Sequence, residues 1–138
     1  CSHVCGIFVI YAPPPISAPP PQLFFPGRGA SIVAETIILS EIEVSGNGHP
    51  TSGIDGAGVQ LTCSTAKVVD SKVTGNTLGM DGHGAGLYID AQQVSVLSSM
   101  FADNTGYNGV GLYTTGHLRM VTCWVSDNQI GTNEVCDG

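Results

Sequence analysis

Four copies of one pattern run down the chain, and a repeat of this size limits the fold more than any single residue does. Gly27-Arg28-Gly29, Gly56-Ala57-Gly58, Gly84-Ala85-Gly86 and Gly109-Val110-Gly111 each open a segment. Each segment reaches an asparagine: Asn47, Asn76, Asn104 and Asn128. The offset from first glycine to asparagine is identical in three copies and one position shorter in the fourth. A period of roughly 25 to 30 residues belongs to stacked repeats. A unit of that length cannot bury its apolar side alone, so copies stack and the chain reads as a solenoid.

Superposing the copies separates inward from outward positions. Just past the second glycine stand Ala30, Val59, Leu87 and Leu112, and two positions further on Ile32, Leu61, Ile89 and Thr114. Three more apolar columns precede the asparagine: Ile37, Ala66, Val94 and Leu118; then Leu39, Val68, Val96 and Met120; then Val44, Val73, Phe101 and Val125. Polar residues fill most of the positions between. Short alternating stretches rich in Val, Ile and Thr, broken by Gly, Asn and Asp, predict short strands joined by turns.

The expected fold is all-β: a right-handed parallel β-helix of about four coils, with about three short strands in each. Coils start near residues 27, 56, 84 and 109, so residues 27–138 form the solenoid. Residues 1–26 are an N-terminal segment carrying a proline-rich tract over 12–26. A leucine-rich repeat also places apolar residues before an asparagine, but the column five positions before it reads Ile42, Ser71, Ser99 and Cys123. That column suits the family poorly, and no helix-forming run follows the asparagines. The four asparagines are expected to form a ladder, because an amide side chain both donates and accepts where a turn hides backbone groups from water. The paired glycines supply positive φ or close backbone approach.

Gly-x-Gly-apolar paired with apolar-x-x-Asn resembles the repeats of the chlamydial polymorphic outer-membrane protein passenger domains, with Phe101-Ala102-Asp103-Asn104 and Gly109-Val110-Gly111-Leu112 the nearest match. The likeness covers roughly residues 27 to 130. It implies a β-helical cell-surface or secreted protein, an adhesin passenger among them, and implies no enzyme.

Two Pro-Pro-Pro blocks within residues 12–26 favour polyproline II, whose backbone stays exposed. The bland reading is a stiff linker. The tract also resembles hydroxyproline-rich cell-wall glycoproteins of plants and green algae. That resemblance makes Pro13, Pro14, Pro15, Ser17, Pro19, Pro20 and Pro21 candidates for hydroxylation or O-glycosylation. No Asn-x-Ser/Thr sequon occurs in the sequence.

Four Lys plus Arg against eleven Asp plus Glu give a net charge of −7, which argues against nucleic acid and anionic membrane surfaces as partners. No apolar run approaches the ~20 residues of a membrane span. Gly6–Ala12 is apolar but short and reads as a strand or a docking segment. Cys1 as first residue, with no Met, reads as a processed or partial product. Four coils at about 4.8 Å make a stub about 19 Å tall, whose two ends are open sheet edges that invite pairing. The expected partners are therefore further copies of the chain, together with attached or bound glycans.

Of five cysteines, Cys63 and Cys123 fall in or beside inward columns, as buried small apolar residues would. Cys1, Cys5 and Cys136 lie toward the two ends. A bridge Cys1–Cys5 or Cys123–Cys136 is compatible with the spacing, and neither is assigned.

Catalysis has little support. Gly82-His83-Gly84 matches the Gly-His-Gly element of polygalacturonases, but Leu78 stands where Asn76-Thr77 would need an aspartate, and no paired carboxylates follow. Glycoside hydrolysis ordinarily needs two carboxylates across the scissile bond. Glu41, Glu43 and Asp70 read as a solvated outer face, and Cys and His spacings show no zinc pattern. No catalytic residue, metal site or cofactor is assigned. Outward aromatics are more suggestive. Tyr88 and Tyr113 share a column one coil apart, as do Met100 and Trp124, placing them to touch a glycan or another subunit. The expectation is a non-enzymatic extracellular or cell-surface structural protein that self-assembles into a filament or array. A glycan-binding or glycan-cleaving module is the alternative.

Overall fold

The computed structural model describes residues 7–11, 30–49, 55–79 and 82–130. Its strands run in chain order as β1 (Ile7–Tyr11), β2 (Ala30–Val33), β3 (Thr36–Ser40), β4 (Glu43–Ser45), β5 (Gly48–His49), β6 (Val59–Thr62), β7 (Thr65–Val69), β8 (Lys72–Thr74) and β9 (Thr77–Leu78). They continue as β10 (Leu87–Asp90), β11 (Gln93–Leu97), β12 (Met100–Ala102), β13 (Thr105–Gly106), β14 (Leu112–Thr114), β15 (His117–Val121), β16 (Trp124–Ser126) and β17 (Gln129–Ile130). Every pairing is parallel, and the strands fall into four sheets that run along the stack. The first sheet is β2-β6-β10-β14, the second β1-β3-β7-β11-β15, the third β4-β8-β12-β16 and the fourth β5-β9-β13-β17. The chain is a parallel β-solenoid: four rungs of strands linked by three full turns.

Two features correct the sequence reading. Each coil carries four strands instead of about three, because a very short strand follows every asparagine. Such a strand is too brief for an alternation to show in the sequence. In addition, the N-terminal end is not a bare edge in every sheet. β1 pairs along β3 from Ile7↔Thr36 to Tyr11↔Ser40, so Ile7–Tyr11, within the stretch expected to be a strand or a docking segment, forms a strand below the first coil.

The core is the stack of inward columns. Ile37, Leu39, Val44, Leu61, Val68, Val73, Leu87, Ile89, Val96 and Phe101 are essentially inaccessible. Phe101 sits between Val73 and Val125 in the third sheet. Burying one such side chain contributes about 1.5–3 kcal/mol. Ala57, Leu78, Ala85 and Val110 form a smaller cluster beside the main one.

The glycine pair divides its work. The first glycine of each described pair has positive φ: Gly56 at +70°, Gly84 at +69° and Gly109 at +53°. The second lies where coils pass closest. A Cβ on Gly58 would run into the Gly86 carbonyl oxygen, and one on Gly86 into that of Gly111. The turns between sheets also keep left-handed columns. Glu41, Asp70, Ser98 and Thr122 have φ of 48–55°, and the residues before the asparagines, Gly46, Gly75, Asp103 and Asp127, have φ of 53–67°.

Candidate functional site

Three places hold the residues that the sequence singled out: the interior asparagine column, the outer faces of the first and third sheets, and the last described rung.

Along the column, the Oδ1 atoms of Asn76, Asn104 and Asn128 each accept twice from the asparagine one coil earlier. Asn47 N and Nδ2 reach Asn76 Oδ1 at 3.1 and 3.0 Å, and Asn76 N and Nδ2 reach Asn104 Oδ1 at 3.0 and 2.9 Å. Asn104 N and Nδ2 reach Asn128 Oδ1 at 3.1 and 2.9 Å. The second amide hydrogen goes back to a carbonyl of the preceding coil: Asn76 to Val44 O at 3.2 Å, Asn104 to Val73 O at 3.1 Å and Asn128 to Phe101 O at 2.9 Å. Asn76 and Asn104 are fully buried. This column does structural work.

A second polar ladder was not foreseen. Ser71 Oγ donates to Val69 O at 2.7 Å and accepts from Ile42 N at 3.4 Å, while Ser99 Oγ donates to Leu97 O at 2.8 Å and accepts from Ser71 N at 3.2 Å. Cys123 continues the column as a free thiol whose Sγ lies 3.3 Å from Val121 O. Cys63 is also free, and burial followed by the Asp90 carboxylate pushes its thiol above the usual range. Cys1, Cys5 and Cys136, with the bridges considered for them, lie outside the described residues, as do Pro13, Pro14, Pro15, Ser17, Pro19, Pro20 and Pro21.

On the outer face of the first sheet, strand register puts Ser31, Gln60, Tyr88 and Tyr113 in one row. The two tyrosine rings are stacked, with centroids 5.4 Å apart and planes 5° from parallel. Coplanar rings would not fit at that separation, so the two rings stack in parallel with a lateral offset. His83 packs against Tyr113 at 4.6 Å and 52°. Its Nδ1 and backbone N both lie 2.9 Å from Asp55 Oδ1. Asp55, one coil earlier, is the acid that sequence reading missed. The signal was in the alignment of copies: Asp55, His83 and Asn108 each immediately precede a Gly-x-Gly. The Tyr88 phenol is pushed above its usual range by burial first, then by Asp55, Asp90 and Tyr113. The nearby Asp90 accepts from Thr115 Oγ1 at 2.7 Å.

The third sheet carries Glu43, Lys72, Met100 and Trp124 in register on its outer face. Lys72 and Glu43 approach to 3.8 Å, a solvated contact contributing little. Trp124 is exposed and its Nε1 donates to Ser126 Oγ at 2.8 Å. Among the described residues no group of three or more His, Cys, Asp or Glu is placed to hold a metal ion.

The last rung differs from those beneath it. In the column Val44, Val73, Phe101 and Val125, exposure runs 1%, 1%, 0% and 57%. In the column Leu39, Val68, Val96 and Met120 it runs 1%, 0%, 0% and 37%. Leu118 and Ile130 are exposed as well. With Leu112 and Asn128 these residues floor an apolar depression of about 390 Å³.

No family model matches this chain, and neither a curated protein nor a solved structure matches it.

Proposed function

We propose that the protein is a non-enzymatic structural protein of the extracellular space or cell surface, and that its work is assembly through the end of the coil stack formed by β14–β17. The observation that carries this reading is the exposure of Val125 at 57% in a column otherwise at 0–1%. Side chains of the core type stand there without a rung above them among the described residues. The strands that bear them sit at the edges of their sheets. Unpaired edge groups and contiguous apolar surface both favour the addition of more β-structure, and the occupant proposed is a second copy of the chain. The proline tract, by its resemblance to cell-wall glycoproteins, supports an extracellular setting and attached sugars. Sedimentation velocity over a wide concentration range tests the reading, with electron microscopy of the largest species. Concentration-dependent association is expected; a strictly monomeric full-length chain at high concentration would overturn it.

A glycan-contact role is the second reading, favoured by the Tyr88–Tyr113 row. The offset stack leaves ring surface on both tyrosines for a sugar, with the Asp55 and Asp90 carboxylates as acceptors for its hydroxyls. A glycan array compared between the native chain and Tyr88→Ala decides it. Unchanged signals in the variant would remove this reading.

A further inference from the structure

We propose that the outer face of the first sheet, around Tyr88 and Tyr113, binds a cationic amino sugar: an oligomer whose rings carry free amines. The inference rests on the glycan-contact reading above and names the class of sugar this face selects. Strand geometry is the first step. Tyr88 and Asp90 stand two apart on β10 and point outward, while Leu87 and Ile89 are buried. Side chains two apart on a strand leave the same face about 7 Å from one another. Asp90 therefore borders the tyrosine on its C-terminal side.

The turns ahead of the glycine pairs border the other side, because they fold back over the outward row. A Cβ on Gly56 would meet Gln60, one on Gly84 the Tyr88 backbone and one on Gly109 the Tyr113 side chain. This fold-back brings His83 against Tyr113, with ring centroids 4.6 Å apart. His83 in turn holds Asp55 Oδ1 at 2.9 Å through both its backbone N and its Nδ1. The tyrosine stack is thus flanked by two carboxylates, Asp55 at the turn and Asp90 along the strand. Both act on the Tyr88 phenol, which is pushed above its usual range by burial first and then by Asp55, Asp90 and Tyr113.

Charge selects the ligand. Among the described residues, Lys67 and Arg119 stand on the second sheet and Lys72 on the third, and no Lys or Arg stands on the first. His83 is the basic side chain at this face, and its Nδ1 is turned to Asp55. Asp90 is held by a neutral partner, Thr115 Oγ1, at 2.7 Å. An exposed carboxylate fixed by a hydroxyl keeps its negative charge and attracts cations. An ammonium group over a tyrosine ring gains cation–π attraction as well. The offset stack leaves ring surface for the apolar face of a sugar. A sheet face touches its ligand from one side and does not enclose a small cation as an aromatic cage does, which favours an oligomer lying along the row. Gln60 and Ser31 continue that row with polar groups. Acetylating the amines removes the charge while keeping the ring, so this face distinguishes the two forms.

Isothermal titration calorimetry of the full chain tests this, with glucosamine oligomers and N-acetylglucosamine oligomers of equal length in mildly acidic buffer. The amine form should bind at least about fivefold tighter. Asp90→Asn keeps the shape of the side chain and should lower affinity for the amine form at least about twofold, leaving that for the acetylated form unchanged. Equal affinity for the two oligomers, lost in both with Tyr88→Ala, would overturn the charge selection and leave the glycan-contact reading standing. No binding of either oligomer would overturn both. Oligolysine reports on charge alone. Oligolysine affinity that matches the glucosamine oligomer's and is unchanged by Tyr88→Ala would also overturn the proposal.

Discussion

At the residue scale, stability concentrates in side chains that close several backbone groups at once. Asn76 Oδ1 takes both the amide and the side-chain N–H of Asn47, and its Nδ2 serves Val44 O and Asn104 Oδ1. Asn76→Ala strands those buried partners, each at about 1–3 kcal/mol, so a loss of about 3 kcal/mol is expected in urea unfolding. Asn128→Ala should cost less, because Asn128 is only half-buried and water can replace its bonds. The asparagine column was legible because four identical residues recur in register. The serine ladder was not, because Ile42 and Cys123 interrupt its column. Cys63 carries a pH signature. Its thiol titrates higher folded than unfolded, through burial and then Asp90, so it favours the fold below the ordinary thiol range. That contribution fades as pH rises through the ordinary value toward the raised one. Alkylation followed by peptide mass spectrometry should show Cys63 reacting at higher pH than an unstructured cysteine peptide.

At the element scale, the glycine pattern announced a repeat without revealing that its two members do different work. Gly75 and Gly86 separate the two effects experimentally. Gly75 has φ of +65° and open space around a would-be Cβ, with only Gly46 N at 3.9 Å. Gly75→Ala should therefore cost only the left-handed strain of about 1–2 kcal/mol. Gly86 has no such φ, but its added methyl would meet the Gly111 carbonyl and lie 3.1 Å from Asn104 Nδ2 and Val73 Cγ1. The obstruction is largely backbone and cannot rotate away, so Gly86→Ala should cost more than about 3 kcal/mol. Thermal unfolding of the two variants in one buffer checks the order; equal losses would mean that close approach adds nothing. The inward columns were readable because period-two alternation survives in the longer strands of the first and second sheets. The fourth sheet was not, since β5, β9, β13 and β17 are each a single residue pair. Asp55 and His83 meet across neighbouring coils, a pairing that composition hides and only strict superposition of the repeats exposes.

At the scale of the whole molecule, the two ends of one stack behave differently, and the difference can be read from a single column. Val44 at one end is 1% exposed and Val125 at the other 57%. A charge at Val125 therefore costs the isolated chain little, because a substitution at a mostly exposed site usually changes stability by less than about 0.5 kcal/mol. The same charge in an interface against another apolar rung would be buried without a partner, and an unpaired buried charge costs several kcal/mol. Val125→Lys should leave the unfolding midpoint of the dilute protein nearly unchanged while weakening self-association at least about tenfold, the equivalent of roughly 1.4 kcal/mol. Trp124→Ala supplies a control beside it: Trp124 shares the rung, but its row with Met100, Lys72 and Glu43 lies on the outer face of the third sheet. If association proceeds through the end of the stack, Val125→Lys weakens it far more than Trp124→Ala does. If the flank of the solenoid is the contact, the order reverses, and sedimentation velocity on the two variants separates these outcomes directly.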